Sequence, residues 1–234
     1  MGKWSRFLGL AVLASFLLFK TKIVAQESLP PLKTHPLPPG LQQWRDDGNG
    51  GDYFGEIQFT NIGALIWSQF PVKVYIASKG EEWRKVVTQA VEEWNTYLPL
   101  EIIEIEGEAD IIIEREYPPR KVSIDPETGK LEIPRMRSAQ TSYDLYVSDS
   151  NPRILSHHMK IQLAPNLPPS SLLAAIRHEL GHGLGIWGHS PLETDALYFS
   201  QVRNPPPISA RDVNTLKKVY QQPTRLGWPA PSPD

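Results

Sequence analysis

The stretch His178-Glu179-Leu180-Gly181-His182-Gly183-Leu184-Gly185-Ile186-Trp187-Gly188-His189 decides how this chain is read. Residues four apart on a helix share one face, so His178 and His182 direct two imidazoles at one point. Glu179 projects from the same turn. Paired imidazoles are part of a site for Zn²⁺, which lowers the pKa of its water toward ~7 so that a carboxylate can accept the proton near neutrality. The same acid can return that proton to a leaving amine. Gly181, Gly183 and Gly185 each cost a helix interior about 0.8–1 kcal/mol against alanine, so packing alone does not favour the cluster. Gly185 suits a helix end, where glycine takes the left-handed conformation and the chain turns back. His189 then comes within reach as a third ligand, with Asp195 or Glu193 as the other candidates.

Working outward, Pro168-Pro169-Ser170 starts the helix, and Leu172, Leu173, Ile176, Leu180 and Leu184 give it an apolar side. Upstream, Val72-Lys73-Val74-Tyr75-Ile76 alternates as a strand does. Ser78-x-x-Glu81 has the form of a capping box with Ser78 as N-cap. Trp83, Val86, Val87, Ala90, Val91, Trp94, Tyr97 and Leu98 follow at helical spacing, and Pro99 stops that helix. Ile102–Ile105 and Ile111–Ile113 read as strands separated by Gly107, the second apolar enough to be buried on both faces. Asp125-Pro126-Glu127-Thr128-Gly129 signals a turn, and Tyr143–Val147 and Ile154–Leu163 read as further strands. A last helix begins at the Ser209-x-x-Asp212 box, runs through Val213, Leu216, Val219 and Tyr220, and ends at Pro223. Strand, helix, strands, histidine-bearing helix and terminal helix make a mixed α/β unit of the α+β kind.

Composition narrows the classes. Of 234 residues, 40 % are hydrophobic and 21 % charged, which is ordinary for a chain that buries a core. Cysteine is absent, which excludes disulfides, thiol catalysis and a cysteine-based zinc site. Lys3 and Arg6 precede an apolar run from Phe7 to Phe19, and Ile23-Val24-Ala25 suits cleavage, the layout of a secretory signal peptide. The run falls short of the ~20 residues of a membrane span, and an uncleaved anchor is the alternative. Removing residues 1–25 takes away four cations (Lys3, Arg6, Lys20, Lys22) and no acids, so 24 basic against 26 acidic residues becomes 20 against 26, a net charge of −6. An acidic chain with no basic run argues against nucleic acid as a partner. Pro30, Pro31, Pro36, Pro38 and Pro39, then Gly48-Asn49-Gly50-Gly51, mark residues 26–63 as a linker or short pro-segment.

His178-Glu179-x-x-His182-x-x-Gly185 followed by a histidine resembles the zinc signature of the metzincin peptidases, and of matrixin-like bacterial members in particular. His189-Ser190-Pro191 and Thr194-Asp195-Ala196-Leu197-Tyr198 are similar to the segment that leads into that family's Met-turn. Trp67–Ile76, the helix from Glu81 and the terminal helix from Ser209 fit as well, so the resemblance covers roughly Ala64–Gln222. It implies a twisted mixed sheet with an active-site helix and a C-terminal helix. It also implies Zn²⁺ held by His178, His182 and His189, with Glu179 as catalytic base. Two positions depart from the pattern. The third histidine belongs three residues after the glycine; Gly188 stands there, and His189 follows it. Leu197 takes the place of the turn methionine, a volume-conserving change that typically costs under ~1.5 kcal/mol.

The expected protein is therefore an exported zinc endopeptidase, secreted or periplasmic. It comprises a signal peptide (1–25), the linker or pro-segment (26–63), a catalytic domain (64–222) and a Pro-rich tail (223–234). Its partner is a peptide or protein substrate, and a monomer is expected. The substrate pairs with the strand from His157 to Leu163, as the resemblance implies, and residues Tyr198–Pro207 shape the pocket beyond the scissile bond. A zinc amidase of cell-wall peptides and an inactive zinc-binding protein are the competing readings. His157-His158 point to opposite faces of a strand and read as ordinary polar positions rather than a second metal site. Tyr198 is a packed or solvent-facing residue or a hydrogen-bond donor to substrate, and Trp187 packs near the turn. Asp52 sits in a Gly/Asp turn or acts as an inhibitory ligand.

Overall fold

The alternation of Val72-Lys73-Val74-Tyr75-Ile76 builds strand β1 (Val72–Ala77), with Val72, Val74 and Ile76 turned into the core. The computed structural model describes residues 29–120, 123–124, 127–132, 137–200, 202 and 204–231. The signal-peptide reading of residues 1–25 and the Asp125-Pro126 half of the expected turn lie outside them; Gly129 has φ +65°, as a turn glycine does. The chain places β1, β2 (Leu100–Ile103), β3 (Ile111–Glu114), β6 (Ala139–Val147) and β7 (Leu155–Leu163) in one sheet of order β2-β1-β3-β7-β6. All neighbouring pairs are parallel except β6–β7. A small hairpin, β4 (Ser123–Ile124) with β5 (Leu131–Glu132), stands apart. The helices are α1 (Pro39–Gln43), α2 (Glu81–Asn95), α3 (Pro169–Gly183) and α4 (Ala210–Tyr220). This is a mixed α/β architecture of the α+β kind.

Helix α2 follows its expected stripe: Trp83, Val87, Ala90, Val91 and Trp94 are buried, and burying each of the valines is worth about 1.5–3 kcal/mol. It packs against α3, where Trp94 Nε1 donates to the Arg177 carbonyl at 3.0 Å and the Arg177 guanidinium holds Glu93 at 2.5 and 2.7 Å. Helix α3 in turn lies on β6 and β7, so the histidine-bearing helix rests on the antiparallel corner of the sheet.

Several expectations need correction. Gly80, not Ser78, is the N-cap of α2; the Ser78 hydroxyl accepts from Gly80 N–H at 3.3 Å in a local turn, two residues ahead of the cap position. The helix ends at Asn95, before Pro99, because the Asn95 side chain accepts the Leu100 N–H at 2.7 Å and starts β2. That strand covers Leu100–Ile103 rather than 102–105, and Ile105 is exposed. Strand β3 buries Ile111 and Ile113 but leaves Ile112 only half-covered, so one face is core. Strand β7 lies between β3 and β6, both of its edges already paired. The sheet's edges are β2 and β6, so a peptide cannot add to His157–Leu163 as expected.

Residues 29–63, read as a linker or pro-segment, are packed onto the domain and bury Leu41, Tyr53, Ile57 and Ile62. The tail is also packed: Lys33 and Thr224 exchange backbone hydrogen bonds at 3.1 and 2.9 Å, and Leu226 is buried. The core therefore draws on chain beyond 64–222.

Candidate metal centre

Helix α3 begins at Pro169, whose fixed φ suits the first helical position, and carries His178, Glu179 and His182 on its last turns. Its end is a Schellman motif: Gly185 N–H reaches the His182 carbonyl at 3.0 Å and Ile186 N–H the Gly181 carbonyl at 2.9 Å. Gly185 has φ +126°, a conformation side-chain-bearing residues rarely adopt. The chain reverses there and brings His189 back over the helix. The ring centroids of His178, His182 and His189 lie 4.7, 5.1 and 5.0 Å from one another. One ligand atom from each falls within 4.8 Å of the others, and among the described residues this is the one group of three or more that can hold a metal ion.

The tautomers follow from the outer partners. His178 Nδ1 lies 3.0 Å from the Ala196 carbonyl and His182 Nδ1 2.6 Å from the Ile186 carbonyl. A carbonyl only accepts, so each Nδ1 carries the proton. Burial first, then the charge of a neighbouring imidazole, pushes both rings down to about 4, so both are neutral at physiological pH. Burial also lowers the exposed-edge ring of His189. The two Nε2 atoms are therefore bare lone pairs, 3.1 Å apart. Two facing lone pairs repel, and a cation between them removes the repulsion. That arrangement fits a metal ion and fits little else.

Glu179 is buried beside the triad, with its Oε2 2.6 Å from the Thr141 hydroxyl, which donates to it. Burial raises the carboxyl above its usual range, while His178 and Thr141 pull it partly back. Thr141, on edge strand β6, had no signal in the sequence beyond its lying in a polar stretch. Leu197 is fully buried beneath α3, and a Cβ at Gly181 would stand 2.6 Å from its Cδ2. The Leu197 turn is pinned by Asp212, whose carboxylate accepts from Ala196 N–H at 2.9 Å and Leu197 N–H at 3.3 Å. Asp212 also closes the Ser209 capping box as expected and accepts the Tyr53 hydroxyl at 2.6 Å.

The remaining candidates fall into place. Asp195, a fallback ligand, is held by Ser190 Oγ at 2.5 Å and Arg211 Nε at 3.0 Å, outside the metal-competent group. Glu193 is exposed and also outside it. Asp52 pairs with Lys218 at 2.6 Å and caps Phe54 N–H at 2.9 Å, a turn role. Trp187 packs edge-on against Tyr143, centroids 5.3 Å apart. His157 and His158 do lie on opposite faces, but His157 is no ordinary polar position: it is buried, stacked on Trp67 at 3.9 Å, and pushed down to about 3 by that burial. Next to His178 and Glu179 opens a cavity of about 210 Å³, walled by Tyr198, Phe199, Val202, Pro205 and Pro206. Tyr198 is half-buried in that wall.

No family model matches this chain, and no curated protein matches it.

Proposed function

We propose that this protein is an exported zinc-dependent endopeptidase with a metzincin-like catalytic domain. The observation that carries the reading is the pair of bare Nε2 atoms 3.1 Å apart, with a third imidazole and a buried carboxylate beside them. Two nitrogens on one tetrahedral ion at ~2.0–2.1 Å stand about 3.3 Å apart, close to that spacing. His178, His182 and His189 would hold the ion, which suits zinc because three neutral imidazoles leave a fourth position open. When bound, zinc polarises the peptide carbonyl and acidifies a water toward a pKa of ~7.

The chain's own residues supply the rest. A peptide adds to the free edge of β6, its backbone pairing along Ala139–Val147 in front of the histidines. Glu179 takes the proton from the attacking water and delivers it to the leaving amide nitrogen. Thr141 keeps that carboxylate aimed. The side chain after the scissile bond enters the cavity between His178 and Pro206. A purely structural metal site has no use for a buried acid in that position. The signal-peptide layout of residues 1–25 supports export, secreted or periplasmic; the reading takes a peptide or protein as substrate, no nucleic acid, and a monomeric state. Leu197 stands where the family has its turn methionine, as the apolar floor beneath the histidines.

The test is to express residues 26–234, measure zinc content, and follow cleavage of an unfolded protein. Glu179→Ala should keep zinc and lose cleavage. Equal cleavage by wild type and variant would refute the mechanism, and zinc binding without cleavage by either would leave a binding protein.

A further inference from the structure

The sequence places one residue too many between Gly185 and His189, and the structure shows what fills the difference. We propose that residues 53–58 of the N-terminal segment are a fixed wall of the metal centre that sets the position of His189, so the segment is not a pro-segment to be removed. This rests on the three-histidine reading above.

The contact is backbone against backbone. A Cβ at Gly188 would stand 2.3 Å from the Glu56 carbonyl oxygen, 2.9 Å from its carbon and 3.1 Å from the Ile57 Cα. Only glycine lets the strap approach the residue before the third ligand. One step earlier, Gln58 N–H donates to the Trp187 carbonyl at 2.8 Å. Residues 187 and 188 are therefore held from the N-terminal side, and His189 is the next residue of the chain.

The strap is itself anchored on α4. Tyr53 N–H donates to Thr215 Oγ1 at 3.0 Å and its hydroxyl to Asp212, while Arg211 Nη1 donates to the Gly50 carbonyl at 2.9 Å. Asn214 Nδ2 adds a bond to the Gly51 carbonyl at 2.8 Å. The same Asp212 pins the Ala196 amide, and the Ala196 carbonyl orients His178. Outer contacts of this kind commonly govern metal affinity by about 10–100-fold. Removing the strap would free the loop that bears His189 and weaken the centre rather than uncover it.

The test uses Co²⁺ binding to the chain from residue 26, read by competition with a chelator and by the visible spectrum, with no activity needed. Gly188→Ala should weaken Co²⁺ at least tenfold and give the spectrum of His189→Ala. Gly55→Ala, in the same strap but with no atom within 4 Å of its Cβ position, should change neither. In the unsubstituted protein, metal should slow hydrogen exchange at the Gln58 amide, since coupling between two sites is reciprocal. That measurement holds even if Gly188→Ala fails to fold. Wild-type affinity and spectrum in Gly188→Ala, or Gln58 exchange indifferent to metal, would overturn the strap. If His178→Ala also bound Co²⁺ normally, the histidine centre itself would be wrong.

Discussion

Gly181 and Leu197 form a lock whose two halves can be tested against each other. On helix propensity alone, Gly181→Ala should stabilise α3 by about 1 kcal/mol. The new methyl, however, would stand 2.6 Å from Leu197 Cδ2, 3.0 Å from Cδ1 and 3.2 Å from Cγ. A leucine end can often swing aside. Leu197 is fully buried, and its backbone is held at N–H by Asp212 and at its carbonyl by Ser190 N–H at 2.8 Å. Overpacking of this kind costs about 1–3 kcal/mol, so Gly181→Ala should be destabilising by about 1 kcal/mol net. Leu197→Ala alone should cost about 2–5 kcal/mol for the lost burial and the cavity. In the Leu197→Ala background the methyl enters that cavity, and Gly181→Ala should become stabilising by about 1 kcal/mol. The coupling is then about 2 kcal/mol, well above the scatter of independent sites. Urea unfolding with chelator present reads it without a contribution from bound metal. Additivity within about 0.5 kcal/mol would refute the claim that Gly181 is glycine because of Leu197.

The other expectations concern the site and its surroundings. Thr141→Val removes the hydroxyl from Glu179, and a hydrogen bond to a charged group is worth about 1.5–3 kcal/mol, so kcat/KM should fall roughly 10–100-fold at unchanged zinc content. Chelation should lower the melting temperature of wild type and Glu179→Ala alike, by an amount equivalent to about 2.7 kcal/mol when zinc is at a hundred times its Kd; His189→Ala should lose most of that difference. Asp110 gives a pH signature: burial raises its carboxyl above the usual range although it accepts the Lys73 N–H at 2.8 Å. A raised folded-state pKa is a penalty present above it and relieved as pH falls through it. Asp110→Asn should therefore be at least as stable as wild type at pH 7, with the advantage shrinking toward acidic pH in paired thermal melts; a constant difference would contradict the burial argument.

What was legible in the sequence was whatever depends on local pattern. The stripe of α2, the alternation of β1, the Pro169 start of α3, the Gly185 reversal and the Ser209–Asp212 box all follow from spacing and from backbone chemistry. So did the approach of His178 and His182, because four-residue helical spacing puts both imidazoles on one face. What was not legible depends on contacts across the chain. Strand β7 reads the same whether its far edge is paired or free, so the sequence does not show that β6, and not β7, is the sheet edge. Thr141 is separated from Glu179 by 38 residues and carries no mark of its role. The prolines of the N-terminal segment favour extended backbone, which describes a linker and a packed strap equally well.

The contacts around the three histidines are mostly main-chain. His178 and His182 are oriented by main-chain carbonyls, Ala196 and Ile186, and the loop before His189 is gripped through Trp187 and Gly188 backbone atoms. None of these contacts specifies a side chain except through its absence, at Gly188. An insertion in the loop therefore leaves the first two ligands untouched, since their partners lie on the Leu197 turn and in the Schellman motif. It acts first on His189, where the loop meets residues 56–58. The Leu197 turn is held on two sides, by Asp212 from α4 and by Ser190 N–H at its carbonyl. A centre built this way tolerates change in one ligand's approach as long as the surface facing that loop changes with it.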